Sequence, residues 1–400
     1  MQLNSDVLNK VTYLIGSSDI AARLPNVSAL PPFDDAVVDF LNDVSREIMK
    51  DPRGRIYSDV VTFGFWIRKA SILKLKERFA CEGLHLGRGV TFHIAPSNVP
   101  VNFAYSLVSG LLCGNANVVR VPSKDFPQVT ILMDIINNVL DKHDSMRPYV
   151  FCVRYGREQI FNDLFSSIAD VRIVWGGDQT IAELRKSPLQ PRSGEVTFAD
   201  RYSLAVIDSD SYFAVEDKKR IAEDFYNDTF FTDQNACTSP RIIIWTGKRI
   251  DEAKKMFWDM EHDLVKKKYT FQAIQGVNKL TKAYLIAVAE SGVKVEDHPD
   301  NLIVRVHVPE VTNYLMDYED NSGYFYEYDC ENIQDIRPLC NDKRCQTIAY
   351  IGSSNVIKPL IKSGVKGIDR VVPMGKTMDF DLIWDGYNLP ALLTRTIVME

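Results

Sequence analysis

The sequence predicts an α/β protein that contains a parallel, doubly wound sheet. Between about residues 90 and 208, short β-rich runs alternate with longer amphipathic or polar stretches. The stretches between the first four runs are long enough for the crossover helices that parallel strands require. The predicted strands run from Val90 to Ala95, Asn117 to Val121, Tyr149 to Val153, Val171 to Trp175 and Ser203 to Ile207.

The first crossover gives the clearest helical pattern. Apolar residues recur at every fourth position and fill the adjoining stripe, at Val99, Phe103, Ala104, Leu107, Val108, Leu111 and Leu112. Such a helix is expected to be buried against the sheet. In doubly wound sheets ligands bind beyond the carboxyl ends of the strands. We therefore expect the loops after Ala95, Val121 and Trp175 to hold a nucleotide.

The remainder of the chain reads as a lead-in region and a second lobe. Residues 1 to about 88 have a mostly helical pattern, interrupted by prolines. From about residue 209 a new α/β organisation begins. It comprises a charged helix from Ala214 to Phe231, a strand from Arg241 to Trp245 and a helix near Ile250 to Lys268.

Composition places the protein among ordinary globular proteins. Of 400 residues, 46% are apolar and 25% are charged, which excludes collagen-like, coiled-coil and disordered classes. The net charge of −6 argues against nucleic acid as the main partner. The N-terminus lacks the features of a secretory signal, and no apolar run is long enough to span a membrane. These features predict a cytoplasmic protein without a membrane span.

The cysteines indicate neither a disulfide framework nor a zinc site. There are seven, with no CxxC pair, and most are expected to be small inert core residues. They lie at Cys81, Cys113, Cys152, Cys237, Cys330, Cys340 and Cys345. No metal is predicted, because the cluster at 330, 340 and 345 fits no common zinc spacing.

Three short segments carry the chemical signal. HIAPSNVP, from His93 to Pro100, turns from a strand into the first crossover helix and places Asn98 in the turn. CGNANVVRVPSK, from Cys113 to Lys124, is a tight turn, a strand and a basic loop. DQNACTSPR, which begins at Asp233, places Cys237 in a small polar loop before a strand.

With these motifs in this order, the sequence resembles the aldehyde dehydrogenase superfamily, and within it the acyl-CoA reductase family of bacterial luminescence. The likeness is strongest over residues 85–245. The Asn-x-Pro turn, the Gly-Asn turn and the cysteine after the Gln-Asn pair match Asn98 with Pro100, Gly114 with Asn115, and Cys237. The segments 367–376 and 384–386 look like the C-terminal motif of the family. The resemblance implies an aldehyde-dehydrogenase-like fold, with a Rossmann-type cofactor domain and an α/β catalytic domain.

The resemblance implies that Cys237 and Asn98 are catalytic. A thiolate can accept an acyl group and later release it, and a thioester is activated towards hydride attack. Each addition passes through an oxyanion, which the family stabilises with the backbone N–H of the cysteine and the amide matching Asn98. The alternatives are that Cys237 is a packing residue and that Asn98 only stabilises a proline-flanked turn.

The resemblance also implies NADPH as cofactor. The aligned loops suggest that the cofactor is bound by Pro96, Ser97, Arg120, Pro122, Ser123, Lys124, Gly176 and Gly177. Arg120 and Lys124 would meet the 2′-phosphate of the adenosine, although both could equally be solvated surface charges. Gly176 and Gly177 would lie near the diphosphate or simply permit a turn.

One departure from the superfamily bears on the reaction. Hydrolytic aldehyde dehydrogenases carry a glutamate that activates water against the thioester, and here Phe198 occupies the aligned position. A shifted alignment would place Glu195 or Asp200 there instead. Without such a base the thioester is expected to leave by reduction or transfer, which favours a reductase.

The sequence therefore predicts NADPH-dependent reduction of an acyl thioester to an aldehyde. The alternatives are oxidation of an aldehyde or semialdehyde, and an acyl-relay subunit without redox activity. The scattered histidines offer no rival site, and a buried core position is favoured for His93. Expected partners are an acyl-CoA or another acyl thioester, possible docking to an acyl-protein ligase, and further copies of the chain in a homo-oligomer.

The resemblance also predicts how the chain divides. Residues 1–207 would form the N-terminal helices and the nicotinamide domain, residues 208–345 would form the catalytic domain, and residues 346–400 would complete the cofactor domain and an oligomer interface.

Overall fold

A computed structural model describes residues 4–79, 83–297 and 299–399 of the chain. Its strands are β1 (Thr12–Ile15), β2 (Leu84–Gly87), β3 (Val90–Ile94), β4 (Ala116–Arg120), β5 (Val150–Arg154), β6 (Val171–Trp175), β7 (Gly194–Phe198), β8 (Tyr202–Asp208), β9 (Pro240–Thr246), β10 (Lys294–Val295), β11 (Val304–His307), β12 (Tyr324–Asp329), β13 (Cys345–Ile351), β14 (Arg370–Pro373), β15 (Ile383–Trp384), β16 (Tyr387–Asn388) and β17 (Thr394–Ile397).

Its α-helices are α1 (Ser5–Leu8), α2 (Ser18–Ala21), α3 (Asp35–Lys50), α4 (Ser58–Trp66), α5 (Lys69–Arg78), α6 (Asn102–Leu112), α7 (Pro127–Leu140), α8 (Gln159–Ile168), α9 (Asp178–Leu184), α10 (Ser209–Ala214), α11 (Lys218–Asp228), α12 (Ile250–Lys268), α13 (Ala273–Ala289), α14 (Arg337–Cys340), α15 (Lys358–Lys362) and α16 (Leu389–Leu393). Within the described segments, no helix is long and apolar enough to cross a membrane.

The chain forms two compact units. The first comprises residues 1–199 together with 382–400, and the second comprises residues 200–381. Residues 346–381 therefore lie in the second unit, and the returning segment is shorter than the one expected from the sequence. In the first unit that segment pairs β17 with β2 in a small antiparallel sheet.

The first unit is built on a six-stranded sheet with the order β1-β5-β4-β3-β6-β7. Strands β3 to β7 are parallel, and the antiparallel β1 closes one edge. Numbered along the chain, the five parallel strands lie in the order third, second, first, fourth, fifth. This is the doubly wound order of dinucleotide-binding folds, and its topological switch point lies between β3 and β6.

The crossover helices cover both faces of this sheet, because alternate strand residues point to opposite sides. Val119, Val150 and Cys152 pack with α3, α6 and α7 on one face. Val118, Phe151 and Val153 pack with α8 and α9 on the other. The predicted parallel sheet and the buried first crossover helix are confirmed.

Two details of the sheet differ from the sequence prediction. The apolar run near Ser203 forms β8, and this strand belongs to the second sheet rather than the first. The fifth parallel strand of the first sheet is instead β7, whose alternating burial gives a weaker apolar signal. The predicted charged helix from Ala214 to Phe231 is shorter than expected and corresponds to α11, because α10 already ends at Ala214.

The second unit contains a seven-stranded sheet with the order β10-β11-β12-β9-β8-β13-β14, in which β10 alone is antiparallel to its neighbour. Apolar residues fill both faces: Leu204, Ile242 and Tyr326 lie in one core, and Ile243, Trp245 and Phe325 lie in the other. β9 is central in this sheet, so its ends are held on both sides. The loop that precedes β9 carries Cys237.

Candidate active site

Cys237 differs from the other described cysteines in its exposure. It is half-buried, whereas the others are buried, at Cys113, Cys152, Cys330, Cys340 and Cys345. Burial raises the pKa of the Cys330 thiol to about 11 and also raises that of Cys152. Those thiols are therefore poor nucleophiles, since the thiolate is the reactive form. Cys81 lies outside the described residues.

The loop around Cys237 is anchored by the side chain of Gln234, which is fully buried. Its amide nitrogen donates to the carbonyls of Pro240 and Tyr324, at 3.1 and 3.0 Å. Its amide oxygen accepts from the backbone N–H groups of Gly323 and Tyr324, at 2.9 and 3.2 Å. Gln234 lies three positions before Cys237 and thus holds the loop to the first residues of both β9 and β12.

The backbone of this loop is strained as well as anchored. Asp233 and Gln234 both have positive φ, at 54° and 57°. Residues other than glycine seldom adopt this conformation, and it costs of order 1–3 kcal/mol where the surroundings enforce it. The carbonyl of Cys237 itself accepts a hydrogen bond from the Ser203 hydroxyl, at 2.7 Å. The nucleophile therefore lies in a loop whose conformation is imposed by tertiary contacts.

Asp233 is the centre of a polar cluster below the loop. Its carboxylate accepts hydrogen bonds from Tyr269, from Ser322 at 2.8 Å and from Gln275 at 3.2 Å. The ammonium of Lys279 donates to the carbonyls of Ser322 and Leu302, at 2.6 and 2.8 Å. Gln275 and Lys279 both project from α13, so that helix supports the loop through Asp233 and Ser322.

Lys279 is fully buried. Burial lowers the pKa of its amine to about 8, and the nearby acidic residues Asp320, Asp233 and Asp300 oppose the shift. A lysine on an amphipathic helix usually lies on the solvated face, so no sequence pattern marks Lys279 for burial. The role of Asp233 was likewise not predicted, although it belongs to the segment that identified Cys237.

The segment near residues 367–378 approaches the same loop within the second unit. The Thr238 hydroxyl donates to the sulfur of Met378 at 3.2 Å. Asp228, almost fully buried at the end of α11, accepts from the backbone N–H groups of Gly375 and Thr377, at 2.6 and 3.1 Å. Burial raises the pKa of Asp228 to about 7. Met378, two residues beyond the predicted motif, thus borders the cysteine loop, and Asp228 holds the adjoining Gly375 and Thr377.

In the first unit, the loops predicted to hold a nucleotide lie at one edge of the sheet. Ile94, the last residue of β3, is paired with Arg120 of β4 and Val174 of β6. Pro96 and Ser97 therefore follow one strand at the switch point, and Gly176 and Gly177 follow the other. Ser97 and Asn98 are exposed.

The two predicted phosphate-binding cations lie at the same edge. The Arg120 guanidinium stacks 4.7 Å from the ring centroid of Tyr155 and donates to the carbonyl of Gly156 at 3.2 Å. A guanidinium has five donors, so this bond leaves donors for an anion. Lys124 is exposed, with its ammonium 5.0 Å from the ring centroid of Phe126. Between them, Pro122 is buried and Ser123 is exposed.

A buried network supports the switch point from inside. His93 Nδ1 lies 2.7 Å from the Ser106 hydroxyl and Nε2 lies 3.0 Å from the Asn117 amide oxygen. Trp175 donates to the same hydroxyl at 2.9 Å. That hydroxyl can therefore donate to Nδ1, which places the proton of His93 on Nε2. Burial lowers the pKa of His93 to about 4, so this histidine is a neutral core residue, as the sequence favoured.

Comparison with known proteins then decides the family. The sequence profile of the acyl-CoA reductase (LuxC) family matches residues 74–276, about half of the chain. This chain belongs to that family. The matched region includes the switch-point loops of the first unit and the Cys237 loop of the second. Members of the family are thus the appropriate reference for these residues.

Curated relatives are similar over most of the chain. A long-chain acyl-protein thioester reductase of Aliivibrio fischeri is 24% identical over 294 residues, covering 72% of this chain and 58% of the relative. A reductase of the same description from Photorhabdus luminescens is 25% identical over 306 residues, with coverages of 72% and 58%. The chain therefore spans about three fifths of the length of these relatives.

Solved structures confirm the aldehyde-dehydrogenase-like fold. Lactaldehyde dehydrogenase from Escherichia coli superposes with a TM-score of 0.64 at 14% identity, covering 96% of this chain and 90% of that one. Aldehyde dehydrogenase 21 from Physcomitrella patens gives a TM-score of 0.64 at 13% identity, with coverages of 100% and 91%. At these identities the likeness concerns the fold alone.

In this acyl-CoA reductase family member, the aligned residue Phe198 and the acid three positions before it, Glu195, are held in structural contacts, while Asp200 is exposed. Phe198 is buried and stacks on Trp175 with ring centroids 3.7 Å apart. Glu195 is bound by Arg172 and by Arg185, the latter at 2.7 Å. Although burial alone would raise it, these two arginines hold the pKa of Glu195 below its usual range. Glu195 is therefore a structural ion-pair partner.

Proposed function

We propose that this protein reduces an acyl thioester to an aldehyde and carries the acyl group as a thioester on Cys237. The observation that carries the proposal is the contrast among the described cysteines. Cys237 alone is accessible in part, and it lies in a loop fixed by Gln234 and Asp233. A nucleophile held in a fixed orientation favours acyl transfer, because correct orientation of the reacting groups lowers the activation barrier.

The proposed reaction has two stages. The Cys237 thiolate attacks the acyl carbonyl, and the resulting oxyanion collapses to expel the donor as its thiolate. When bound, the reduced nicotinamide supplies the hydride that converts the enzyme thioester to a hemithioacetal. Collapse of the hemithioacetal releases the aldehyde and restores Cys237. We assign Asn98, from the family resemblance, as a donor to the oxyanion in each stage.

The surroundings of Phe198 support reduction over hydrolysis. A thioester is hydrolysed when a base activates water, and here the aligned position holds a stacked aromatic ring while the carboxylate of Glu195 is engaged by two arginines. The acyl group is therefore expected to persist on Cys237 until it is reduced. An aldehyde dehydrogenase would instead release acid, and a relay subunit would acquire the acyl group without binding a nicotinamide.

We propose that the first unit binds NADPH at the carboxyl ends of its parallel strands. The residues present fit a dinucleotide: the strand order places the Pro96–Ser97 and Gly176–Gly177 turns at the switch point, and Arg120 and Lys124 lie at the same edge. A side chain at Gly176 would crowd Thr180, whose methyl carbon would be 3.1 Å from the added Cβ. The remaining proposed cofactor residues, Pro122 and Ser123, complete the loop after β4.

The central test is formation of the acyl adduct. Purified protein incubated with an acyl-CoA, without nicotinamide, should gain the mass of one acyl group, and peptide mapping should place it on Cys237. NADPH should then discharge the adduct as aldehyde. Cys237→Ala should acquire no adduct, while Cys330→Ala should behave like the wild type. An adduct on Cys237→Ala, or acid as the product, would refute the proposal.

A second test concerns the cofactor. Arg120→Ala and Lys124→Ala should each weaken NADPH more than NADH, because a charge-assisted contact to the 2′-phosphate contributes about 1.5–3 kcal/mol. Dissociation constants for both cofactors measure this directly. Unchanged ratios in both variants would show that the phosphate is bound elsewhere.

The donor is proposed to be an acyl thioester, with acyl-CoA and an acyl-protein ligase as the two sources to compare. The relatives are named for an acyl-protein thioester, which favours delivery by a protein. Acylation of Cys237 from free acid and ATP, in the presence of a co-purifying ligase, would support that route. Saturable turnover with acyl-CoA and no associated ligase would assign the soluble donor instead.

A further inference from the structure

Helix α13 exposes a face that carries no charged side chain. The exposed positions of this helix are Ala273, Ile274, Val277, Asn278, Thr281, Tyr284, Leu285, Val288 and Ala289. The preceding helix, α12, shows the ordinary pattern, since its exposed positions are Asp251, Glu252, Lys255, Met256, Asp259, Asp263, Lys266, Lys267 and Lys268. A helix that faced only solvent would be expected to resemble α12.

The apolar residues of α13 are strongly exposed. Val288 is 89% exposed, Ile274 and Val277 are each 58% exposed, and Tyr284 and Leu285 exceed half. Their spacing alternates between three and four residues through Ile274, Val277, Thr281, Tyr284 and Val288, which is the spacing of a helix-pairing seam. Together these side chains present on the order of 500 Å² of contiguous surface, which is in the upper part of the range for the largest patch on a monomer, and such patches are often functional.

We propose that α13 is a contact surface between two copies of this chain, with the two helices antiparallel about a two-fold axis at Thr281. In that arrangement Ile274 faces Val288 of the other copy, and Val277 faces Leu285, so these apolar residues meet apolar residues on both sides of Thr281. A two-fold contact uses the same patch on both copies and must be self-complementary. The uncharged face of α13 meets that condition.

Thr281 is suited to the axis. Its side chain is small, so the two helices can approach closely, and its hydroxyl already donates to the carbonyl of Val277 in the same helix, at 2.7 Å. Burying it leaves no unpaired donor. Asn278, the remaining polar residue of the face, lies opposite Tyr284 of the other copy, where both can form hydrogen bonds.

Two further considerations select a second copy as the occupant. A partner with a charged surface would bury its charges against a face that offers no counter-charge, which is unfavourable. On the order of 500 Å² from each copy gives about 1,000 Å² in total, which is the lower limit for a specific interface and is expected for a reversible dimer. The opposite side of α13 is fixed by Lys279 and Gln275, so the helix presents a rigid surface.

The first experiment compares association of the wild type, Val288→Glu and Ile56→Glu by sedimentation velocity. The wild type should self-associate, and Val288→Glu should raise the dissociation constant at least about tenfold, as expected for an interface anchor. Ile56 is 78% exposed and lies outside α13, so Ile56→Glu should associate like the wild type. A monomeric wild type at about 100 µM, or an unaffected Val288→Glu, would overturn the proposal.

The second experiment tests the geometry. Combining Ile274→Lys with Val288→Glu places opposite charges across the proposed axis, and association should recover towards the wild type. In a parallel experiment, Thr281→Cys treated with a short bifunctional thiol reagent should yield a peptide containing residue 281 linked to its own copy. Failure of both the recovery and the self-linked peptide would exclude this contact, even if the chain associates by another surface. Neither experiment depends on the proposed enzyme activity.

Discussion

In residues 1–199 the switch-point loops rest on uncharged groups, among them a neutral His93, whereas in residues 200–381 the Cys237 loop rests on the amide of Gln234 and on the ionisable Asp233 and Lys279. The first network joins His93, Ser106, Asn117 and Trp175. The second joins Asp233 to Tyr269, Gln275 and Ser322, with Lys279 donating to the Ser322 carbonyl. Both networks fix a loop, but they should respond to pH in opposite ranges.

The difference follows from what each loop is proposed to do. The sheet edge that binds a cofactor depends on the conformation of its loops and on exposed cations. The buried side chains that support this edge can therefore be uncharged. A nucleophile loop held with positive φ at Asp233 and Gln234 needs stronger anchors, and hydrogen bonds to charged groups are about twice as strong as neutral ones. Substitutions in the two networks can therefore separate support of the cofactor edge from support of the nucleophile.

The largest effect is expected for Gln234→Ala. This change leaves the backbone groups of Pro240, Gly323 and Tyr324 without their partner, and it should lower the free energy of unfolding by about 2–4 kcal/mol. Displacement of the loop should also slow acylation of Cys237 by about 100-fold. Urea denaturation and intact-mass kinetics measure the two effects.

The matched control for this prediction is Asn355→Ala, an exposed amide in the same unit. It should change neither stability nor the rate of acylation. If Gln234→Ala acylates at the wild-type rate, the loop is not held by this side chain, and its support comes from the Asp233 cluster instead.

The next effect concerns His93 and acid. Its pKa in the folded protein is about 4, below the unfolded value of about 6.5, so between these values the unfolded chain binds a proton that the folded one does not. The stability of the first unit should therefore fall by up to about 3 kcal/mol as the pH decreases from 6.5 to 4. His93→Gln should remove most of this decrease.

Hydrogen exchange resolves the prediction by unit, since it reports the protection of each segment separately. Protection of residues 90–175 should fall at low pH in the wild type and less so in His93→Gln. His262→Gln, in the second unit, serves as the control and should leave the acid response of the first unit unchanged. Equal acid responses in the wild type and His93→Gln would mean that His93 is not the group responsible.

Much of the first sheet and part of the candidate site could be predicted from the sequence. The strands β3, β4, β5 and β6 could be predicted because each is a continuous apolar run followed by a turn signal and a crossover. The carboxyl-edge rule then located the loops with Arg120 and Gly176 without any structure. Cys237 could be selected because its neighbours in the chain form a recognisable motif.

Other features depend on contacts that sequence patterns do not encode. The run near Ser203 is apolar enough for either sheet, and only pairing with β9 and β13 assigns it to the second. The anchors of the Cys237 loop come from distant positions, including Ser322 and Lys279. Asp228 also looks like a solvated residue of a charged helix, yet it is almost completely buried.

Lys279 should give a smaller, alkaline effect in the second unit. The folded amine has a pKa of about 8, whereas an unfolded lysine titrates near 10.4, so the unfolded chain binds more protons between these values. This group should therefore raise stability by up to about 2–3 kcal/mol as the pH increases from 8 to 10. Lys279→Met should lose that rise.

Buried tyrosines titrate at alkaline pH as well, so the informative quantity is the difference between wild type and variant. Urea midpoints at pH 7.5 and pH 10 provide it. Lys282→Met is the control from the same helix: its ammonium donates to the Asp317 carbonyl at 3.3 Å. A rise that survives in Lys279→Met would show that the amine does not lose its proton on the folded protein.

The smallest effect is expected for Glu261→Gln, and its sign is stabilising. Glu261 on α12 is fully buried, and among the described residues neither carboxyl oxygen has a hydrogen-bond partner. Burial, with Glu223 adding to it, raises the pKa of Glu261 well above its usual range. The folded protein therefore retains a proton that the unfolded chain releases above about pH 4.3, and this group lowers stability as the pH rises.

Glutamine has the same shape without the ionisation, so Glu261→Gln should gain about 1 kcal/mol at pH 8 and less at pH 5. Urea midpoints at the two pH values measure the gain, and Glu252→Gln, exposed on the same helix, should show none. Equal destabilisation by Glu261→Gln at both values would indicate that the carboxyl serves a contact that the amide cannot replace.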